Sequence, residues 1–278
     1  MTDDLQQDLH EDLSEDLHEV YAIRYAHHAR RSPENFIGGD PHDVLQRLDY
    51  FVWAIVGRSG VIVVDSGFDE PMASRRQREI VKPVRDGLAA LGVAPDAVAN
   101  VIVSHLHYDH CGNYDLFPQA RYHLQDREMA YATGRCMCHQ ALRAPFEAED
   151  VIAMVRKVFT GRCAFHDGED EIVPGVSVHH IGGHSKGLQC VRVKTRLGHV
   201  VLAADASHLY AHMDGGRVYP LTYNIEEVVE GYVKLKKLAS APRHVVPGHD
   251  PLVLKRYPAA KPGLEGWVVR LDAEPKDG

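Results

Sequence analysis

Directly after the apolar run Val101-Ile102-Val103-Ser104 stands His105-Leu106-His107-Tyr108-Asp109-His110, which packs four candidate metal ligands into six residues. Imidazole and carboxylate are the donors preferred by zinc and by other first-row divalent ions. In a turn at a strand end, His105 and His107 can converge on one ion while Asp109 and His110 face a neighbouring one. A solvated polar loop is the plainer explanation of such a run. It does not account for the histidines and aspartates that end later strands: His184 in Gly182-Gly183-His184-Ser185, Asp205 after Val200–Ala204, and His249 in Pro247-Gly248-His249-Asp250. Each lies beside glycine or small residues, which permit the close backbone approach that a metal cluster needs.

These junctions require strands to present them. Val20–Tyr25, Tyr50–Val56 and Val61–Asp65 alternate or run apolar, the last two joined by a Gly-Arg-Ser-Gly turn. Pro83 suits a first helical turn, with Val84, Leu88 and Leu91 on one face and Gly92 as the stop. Residues 126–161 read mainly as helix; Val151, Met154, Val155, Val158 and Phe159 form the stripe, Gly161 closes it, and the segment could cover an active site. Strands return at Val176–Ile181, Leu188–Lys194 and His199–Ala204; a helix starts at Asn224 with Glu227 completing a capping box, and a last strand enters Val245-Val246-Pro247. No repeat of 20–50 residues is evident, so the class is mixed α and β with substantial sheet.

The chain has 278 residues, 45% of them hydrophobic, and one catalytic domain over 20–278 is expected. Residues 1–19 form an acidic arm with eight carboxylates and no Lys or Arg, which carries the whole net charge of −8. Leu5, Leu9, Leu13 and Leu17 recur every four residues there, consistent with a helix that docks on the body or on a second copy in a homodimer, or with a solvated tail. A near-neutral body argues against nucleic acid and for a small-molecule partner. The apolar runs fall far short of the roughly 20 residues that span a bilayer, so no membrane partner is expected. The start of the chain lacks the signature of an export signal, so a cytoplasmic location is expected. Cys111, Cys136, Cys138, Cys163 and Cys190 are too few and scattered for a disulfide framework; Cys136-Met137-Cys138-His139 could hold a metal or form a loop or lid.

The motif His105-x-His107-x-Asp109-His110, followed in order by His184, Asp205 and His249, resembles the metallo-β-lactamase superfamily over roughly residues 20–255. The resemblance implies an αββα sandwich with the site at one edge of two facing sheets. It implies one site of His105, His107 and His184, a second of Asp109, His110 and His249, and Asp205 bridging them. Val63-Val64-Asp65-Ser66-Gly67 matches another of the family's turns, in which the aspartate orients a ligand. Two divalent ions are implied, zinc first, with iron, manganese or cobalt accepted by the same donors. A water bridging two such ions loses a proton near neutral pH, since zinc lowers the pKa of its water from about 15.7 to about 7. The resulting hydroxide would attack a carbonyl, and Asp109 could shuttle the proton to the leaving oxygen.

Within the superfamily, Ser104-His105-Leu106-His107-Tyr108-Asp109-His110-Cys111-Gly112-Asn113 and Asp205-Ala206-Ser207 are similar to the N-acyl homoserine lactonase group. Asp205 stands where the true β-lactamases of this fold usually carry cysteine, and the length leaves no room for an added RNA-grasping or flavin-binding domain. The expected reaction is opening of an N-acyl homoserine lactone or another small lactone or ester. The group usually has a tyrosine three residues beyond the bridging aspartate, in contact with the substrate carbonyl; here that position is His208. His208 is therefore expected at the substrate, with Phe68, Met72 and Tyr108 as apolar candidates for the pocket or the core. Arg24, His27, His28, Arg30 and Arg31 could meet an acidic substrate or form a solvated loop. The alternatives are a glyoxalase II-like thioesterase, which should carry C-terminal helices where only 29 residues follow His249, and an iron-dependent persulfide dioxygenase-like oxidoreductase.

Overall fold

The structure, a computed structural model, describes residues 17–276. The expected helix of the acidic arm lies outside the described residues, apart from its last positions. Of these, His18 is buried with its Nε2 2.9 Å from the Pro174 carbonyl, so the body begins slightly before Val20.

Strands β1 (Glu19–His28), β2 (Leu48–Gly57), β3 (Gly60–Val64), β4 (Glu79–Ile80), β5 (Asn100–Ile102), β6 (Arg121–Gln125) and β7 (Cys163–His166) build the first sheet. Strands β8 (Glu169–Val173), β9 (Val176–His180), β10 (Gln189–Thr195), β11 (Gly198–Ala204) and β12 (Val245–Pro247) build the second, and β13 (Val268–Arg270) returns to the first. The first sheet runs β13-β1-β2-β3-β5-β6-β7 with β4 on β1, and the second β12-β11-β10-β9-β8. Pairing is parallel from β3 through β7 and between β11 and β12, antiparallel elsewhere.

Strand β2 explains why there are two apolar layers. Phe51, Trp53 and Ile55 face the second sheet, whose Val178, Cys190 and Leu202 meet them, while Tyr50, Val52 and Ala54 face outward. A strand buried on both faces must read as a continuous apolar run, and this one does. The outward layer is closed by Val84 and Leu88 of the helix Val84–Ala90 and by Val151 and Met154 of the helix Ala148–Phe159. Val228, Tyr232 and Leu235 of the helix Ile225–Leu238 cover the second sheet. The result is the expected helix-sheet-sheet-helix sandwich.

Residues 126–161 are mainly helical as expected, in pieces: Asp126–Ala132, a 3-10 turn Arg135–Cys138, Gln140–Arg143 and Ala148–Phe159. Pro145 offers no N–H to continue a helix, and its carbonyl instead accepts from Tyr108 N–H at 2.9 Å, pinning the segment over the metal-ligand loop. Two other expectations, Phe159 in the apolar stripe and the capping box at Asn224, need correction. Phe159 is 87% exposed, and Lys157 takes the inward place, its Nζ donating to the Tyr114 carbonyl at 2.9 Å. The capping box at Asn224 is half formed. Asn224 Oδ1 accepts from Glu226 N–H at 3.0 Å, but Glu227 accepts from Gly183 N–H at 2.9 Å and Asn224 N–H donates to the Gly183 carbonyl at 2.8 Å. The helix start thus clamps the loop that carries His184.

A second brace comes from Glu128, a fully buried carboxylate that accepts from Leu106 N–H (2.9 Å), Ser185 O–H (2.8 Å) and Gly187 N–H (2.9 Å). It ties the His105–His107 loop to the His184 loop. Position 187 must be glycine, because a Cβ there would lie 2.1 Å from the Glu128 nitrogen. Glu128→Ala strands three buried donors, so a loss of about 3 kcal/mol or more is expected in urea unfolding, with Glu128→Gln losing less. A change within about 0.5 kcal/mol would show that water replaces the carboxylate.

Candidate metal centre

Seven side chains from four separate junctions meet at one end of the sandwich. His105 and His107 follow β5, Asp109 and His110 stand on the single-turn helix Tyr108–Cys111, His184 lies between β9 and β10, and Asp205 and His249 follow β11 and β12. All seven are buried. Their ligand atoms fall into the groups His105, His107, His184 with Asp205 and Asp109, His110 with His249, the atoms within each lying no more than 4.8 Å apart.

Asp205 joins the groups through different oxygens. Its Oδ2 lies 3.0 Å from His184 Nε2 and 3.8 Å from His105 Nε2; its Oδ1 lies 2.8 Å from His249 Nε2 and 3.2 Å from His110 Nε2. The backbone is bent to allow this. Ala204 sits at φ 45° and Asp65 at φ 62°, left-handed conformations that cost a non-glycine residue roughly 1–2 kcal/mol. Position 248 must be glycine, since a Cβ would come within 2.6 Å of the Ala204 carbonyl oxygen.

The far sides of the rings are held in place. Asp65 accepts from Ser104 N–H at 2.7 Å and from Ser104 O–H at 2.8 Å, and its Oδ2 lies 2.7 Å from His110 Nδ1. The same Ser104 oxygen lies 3.0 Å from His105 Nδ1, so Asp65 steers His110 directly and His105 through the hydroxyl. His249 Nδ1 faces the Asp49 carbonyl at 2.9 Å. These contacts leave each Nε2 pointing inward, the arrangement that fixes metal-binding imidazoles.

The inward atoms His105 Nε2, His110 Nε2 and Asp205 Oδ1 are buried without a well-aligned hydrogen bond, although Asp205 Oδ1 lies 2.8 Å from His249 Nε2 and 3.2 Å from His110 Nε2. Buried polar atoms are otherwise nearly always paired, and bound metal would satisfy them, His105 Nε2 in the first group and His110 Nε2 with Asp205 Oδ1 in the second. Burial, reinforced by neighbouring histidines, drives His105 and His107 well below the usual imidazole range, so both keep a free lone pair. For Asp205, burial favours the neutral acid, but His208, His249, His110 and His184 outweigh it and hold the carboxylate well below its usual range. Histidine and aspartate here form a metal-binding site.

Residues 43–262 match the family described as the metallo-beta-lactamase superfamily. The chain belongs to it. Among curated relatives, the N-acyl homoserine lactonase AiiA of Bacillus thuringiensis subsp. kurstaki is 24% identical over 74% of this chain and 83% of its own. The N-acyl homoserine lactonase AiiB of Agrobacterium fabrum is 30% identical over 44% of this chain and 45% of its own. The solved structure of a quorum-quenching N-acyl homoserine lactone lactonase aligns with TM-score 0.68 at 22% identity over 86% of this chain and 94% of that one. An N-acyl homoserine lactone hydrolase with N-hexanoyl-L-homoserine bound at its catalytic metal centre aligns with the same score and identity over 84% and 94%.

In this member of the superfamily a cavity of about 360 Å³ opens over the cluster. Tyr108 and His208 line it, together with Ala144 and Pro145 of the covering segment. Phe68 and Met72, expected as pocket candidates, do not. Phe68 is buried edge-on against Tyr25 and Tyr50 at centroid distances of 4.9 and 5.4 Å, and Met72 packs into the layer beneath the outer helices. Cys136 and Cys138 belong to none of the metal-capable groups among the described residues. Sequence reasoning missed Ser104 and Glu128, and it missed Tyr219, which stacks on His208 at 3.7 Å with 17° between the rings. His208 Nε2 lies 3.1 Å from Asp205 Oδ2 and, with Asp205 and His249, forms a third group able to hold a metal.

Elemental analysis of chelator-free protein separates the roles of the two aspartates. Asp205→Ala removes the carboxylate both groups share and should leave less than one ion per chain. Asp65→Asn should keep the ions but bind them about 10- to 100-fold more weakly. Equal metal content and affinity in the two variants would contradict these roles.

Proposed function

We propose that this chain is a dinuclear metal-dependent hydrolase that opens a lactone ring, with N-acyl homoserine lactones as the nearest precedent. The observation carrying this reading is that the two oxygens of Asp205 face two different histidine groups. His105, His107 and His184 hold one ion and Asp109, His110 and His249 the other, with zinc the first expectation and iron, manganese or cobalt suited to the same donors. When bound, the ions supply an activated water at neutral pH and polarise the carbonyl.

The chain's own groups do the rest. Burial keeps His208 well below the ordinary imidazole range, hence neutral and able to donate one N–H. At the cavity wall its N–H, which faces Asp205 Oδ2 at 3.1 Å in the free protein, is placed to shift to the substrate carbonyl when substrate enters, the role that the family resemblance gives to a tyrosine at this position. Tyr219 behind it fixes the ring by stacking, and burial raises its phenol far above the usual range, so the hydroxyl remains a donor. Asp109, which reaches the cavity, is placed to pass a proton to the ring oxygen as the C–O bond breaks. Ala144 and Pro145 border the cavity in which the carbonyl would lie.

A panel of acyl homoserine lactones, simple γ- and δ-lactones, aryl esters and thioesters, assayed after reconstitution with each metal, tests the proposal by acid or thiol release. Lactones should be turned over fastest. Turnover confined to thioesters, or oxygen uptake with iron alone, would replace ring opening by the corresponding chemistry. His208→Ala should keep its metal while losing about 10²-fold in turnover, the order of one lost oxyanion donor. Metal loss in that variant would instead make His208 a ligand.

A further inference from the structure

The cavity that opens on the metal cluster carries more positive charge than a neutral lactone requires. Arg30, Arg76 and Arg78 line it, and its carboxylates are Asp109 and Asp205, both committed to the cluster. Elsewhere in the same region arginines are supplied with acids. Arg24 and Arg47 share Asp49 at 3.6 and 3.0 Å, Arg31 meets Asp43 at 2.6 Å, and Arg76 Nε meets Glu147 at 3.0 Å. Arg30 and Arg78 are the exceptions: among the described residues neither has a carboxylate within 4.0 Å.

Both are nevertheless held in place by neutral groups. Arg30 Nη1 donates to Tyr219 O–H at 2.9 Å and Nη2 to the Glu34 carbonyl at 2.6 Å, while its Nε is buried without a partner. Arg78 Nε donates to Tyr108 O–H at 3.0 Å and Nη1 to the Arg76 carbonyl at 2.6 Å. Phenols and carbonyls orient a guanidinium without neutralising it, and a half-buried guanidinium with no carboxylate in contact leaves its charge open to pairing by an anionic ligand. A planar guanidinium fork is the natural partner of a carboxylate.

From this we infer that the substrate carries a carboxylate remote from the bond that is cleaved, bound by Arg30 and Arg78, which line the cavity that opens on the cluster. The inference rests on the ring-opening reading for the identity of that bond and stands on the arginines for the anion. A neutral acyl chain would leave both guanidinium groups unpaired in the complex. A carboxylate-ended chain of the same length pairs them and places the electrophilic carbonyl over the cluster, where the metal-facing atoms are.

Two substrates matched in length decide the point: N-hexanoyl-homoserine lactone, and N-adipoyl-homoserine lactone, which ends in a carboxylate. With the metal-loaded full chain, the ratio of kcat/KM should favour the adipoyl compound by about tenfold or more, the order of one charge-assisted hydrogen-bonded pair. Arg30→Gln and Arg78→Gln should each lower that ratio severalfold, and Arg78→Lys should restore part of it. In wild type the ratio should shrink as sodium chloride rises from about 0.1 to about 0.5 M, a test that needs no variant. A wild-type ratio of one or below, or a ratio untouched by both glutamine variants, overturns the inference. Calorimetric binding of the two ring-opened acids separates it from the reaction itself. Tighter, arginine-dependent binding of N-adipoylhomoserine without turnover of either lactone would sustain the anion site and remove ring opening. Equal turnover of both lactones with equal binding of both acids would do the reverse.

Discussion

The site depends on one carboxylate being held where two groups of histidines can share it. Asp205 is buried among five imidazoles, with one oxygen toward His184, His208 and His105 and the other toward His249 and His110. A buried charge in such a place is tolerable because the surrounding rings, and metal bound at the site, would compensate for lost hydration. The fold supplies the position. Strand β11 ends in a left-handed Ala204 that turns Asp205 inward, and β12, parallel to it, brings Gly248 close enough to deliver His249.

The same economy runs through the supporting shell. Asp65, itself in a left-handed turn after β3, orients a histidine from each group, one through Ser104. Glu128 and the start of the helix Ile225–Leu238 grip the loops on either side of His184. Asp65, Ser104 and Glu128 do not line the cavity, yet each limits how far a ligand ring can drift, and a metal site tolerates little drift.

Much of this was legible in the sequence because metal ligands at strand ends leave a local signature. The run His105–His110 after an apolar strand, and glycine beside His184 and His249, mark the junctions without knowledge of the fold. The two-sided burial of β2 was equally legible as an unbroken apolar run. What stayed hidden lacked periodicity or depended on distant partners. Strands β6, β7 and β8 are short, and β8 is largely polar, so no alternation stands out. Phe68 was indistinguishable from a pocket residue because an aromatic after a turn can face either way; packing against Tyr25 and Tyr50 decides it. Arg30 lay in a polar cluster whose other arginines turn out to be paired, and only the third dimension shows which one faces the cavity. Tyr219 is separated from His208 by ten residues, a spacing that signals nothing until the rings are seen to stack.

The central claim is that Asp205 is shared by two ions. Anomalous diffraction from crystals of the zinc-loaded protein tests it most directly. Two peaks about 3.5–4 Å apart, each within coordination distance of a different Asp205 oxygen, are expected. A single peak at full occupancy, or two peaks of which only one touches Asp205, would contradict the account.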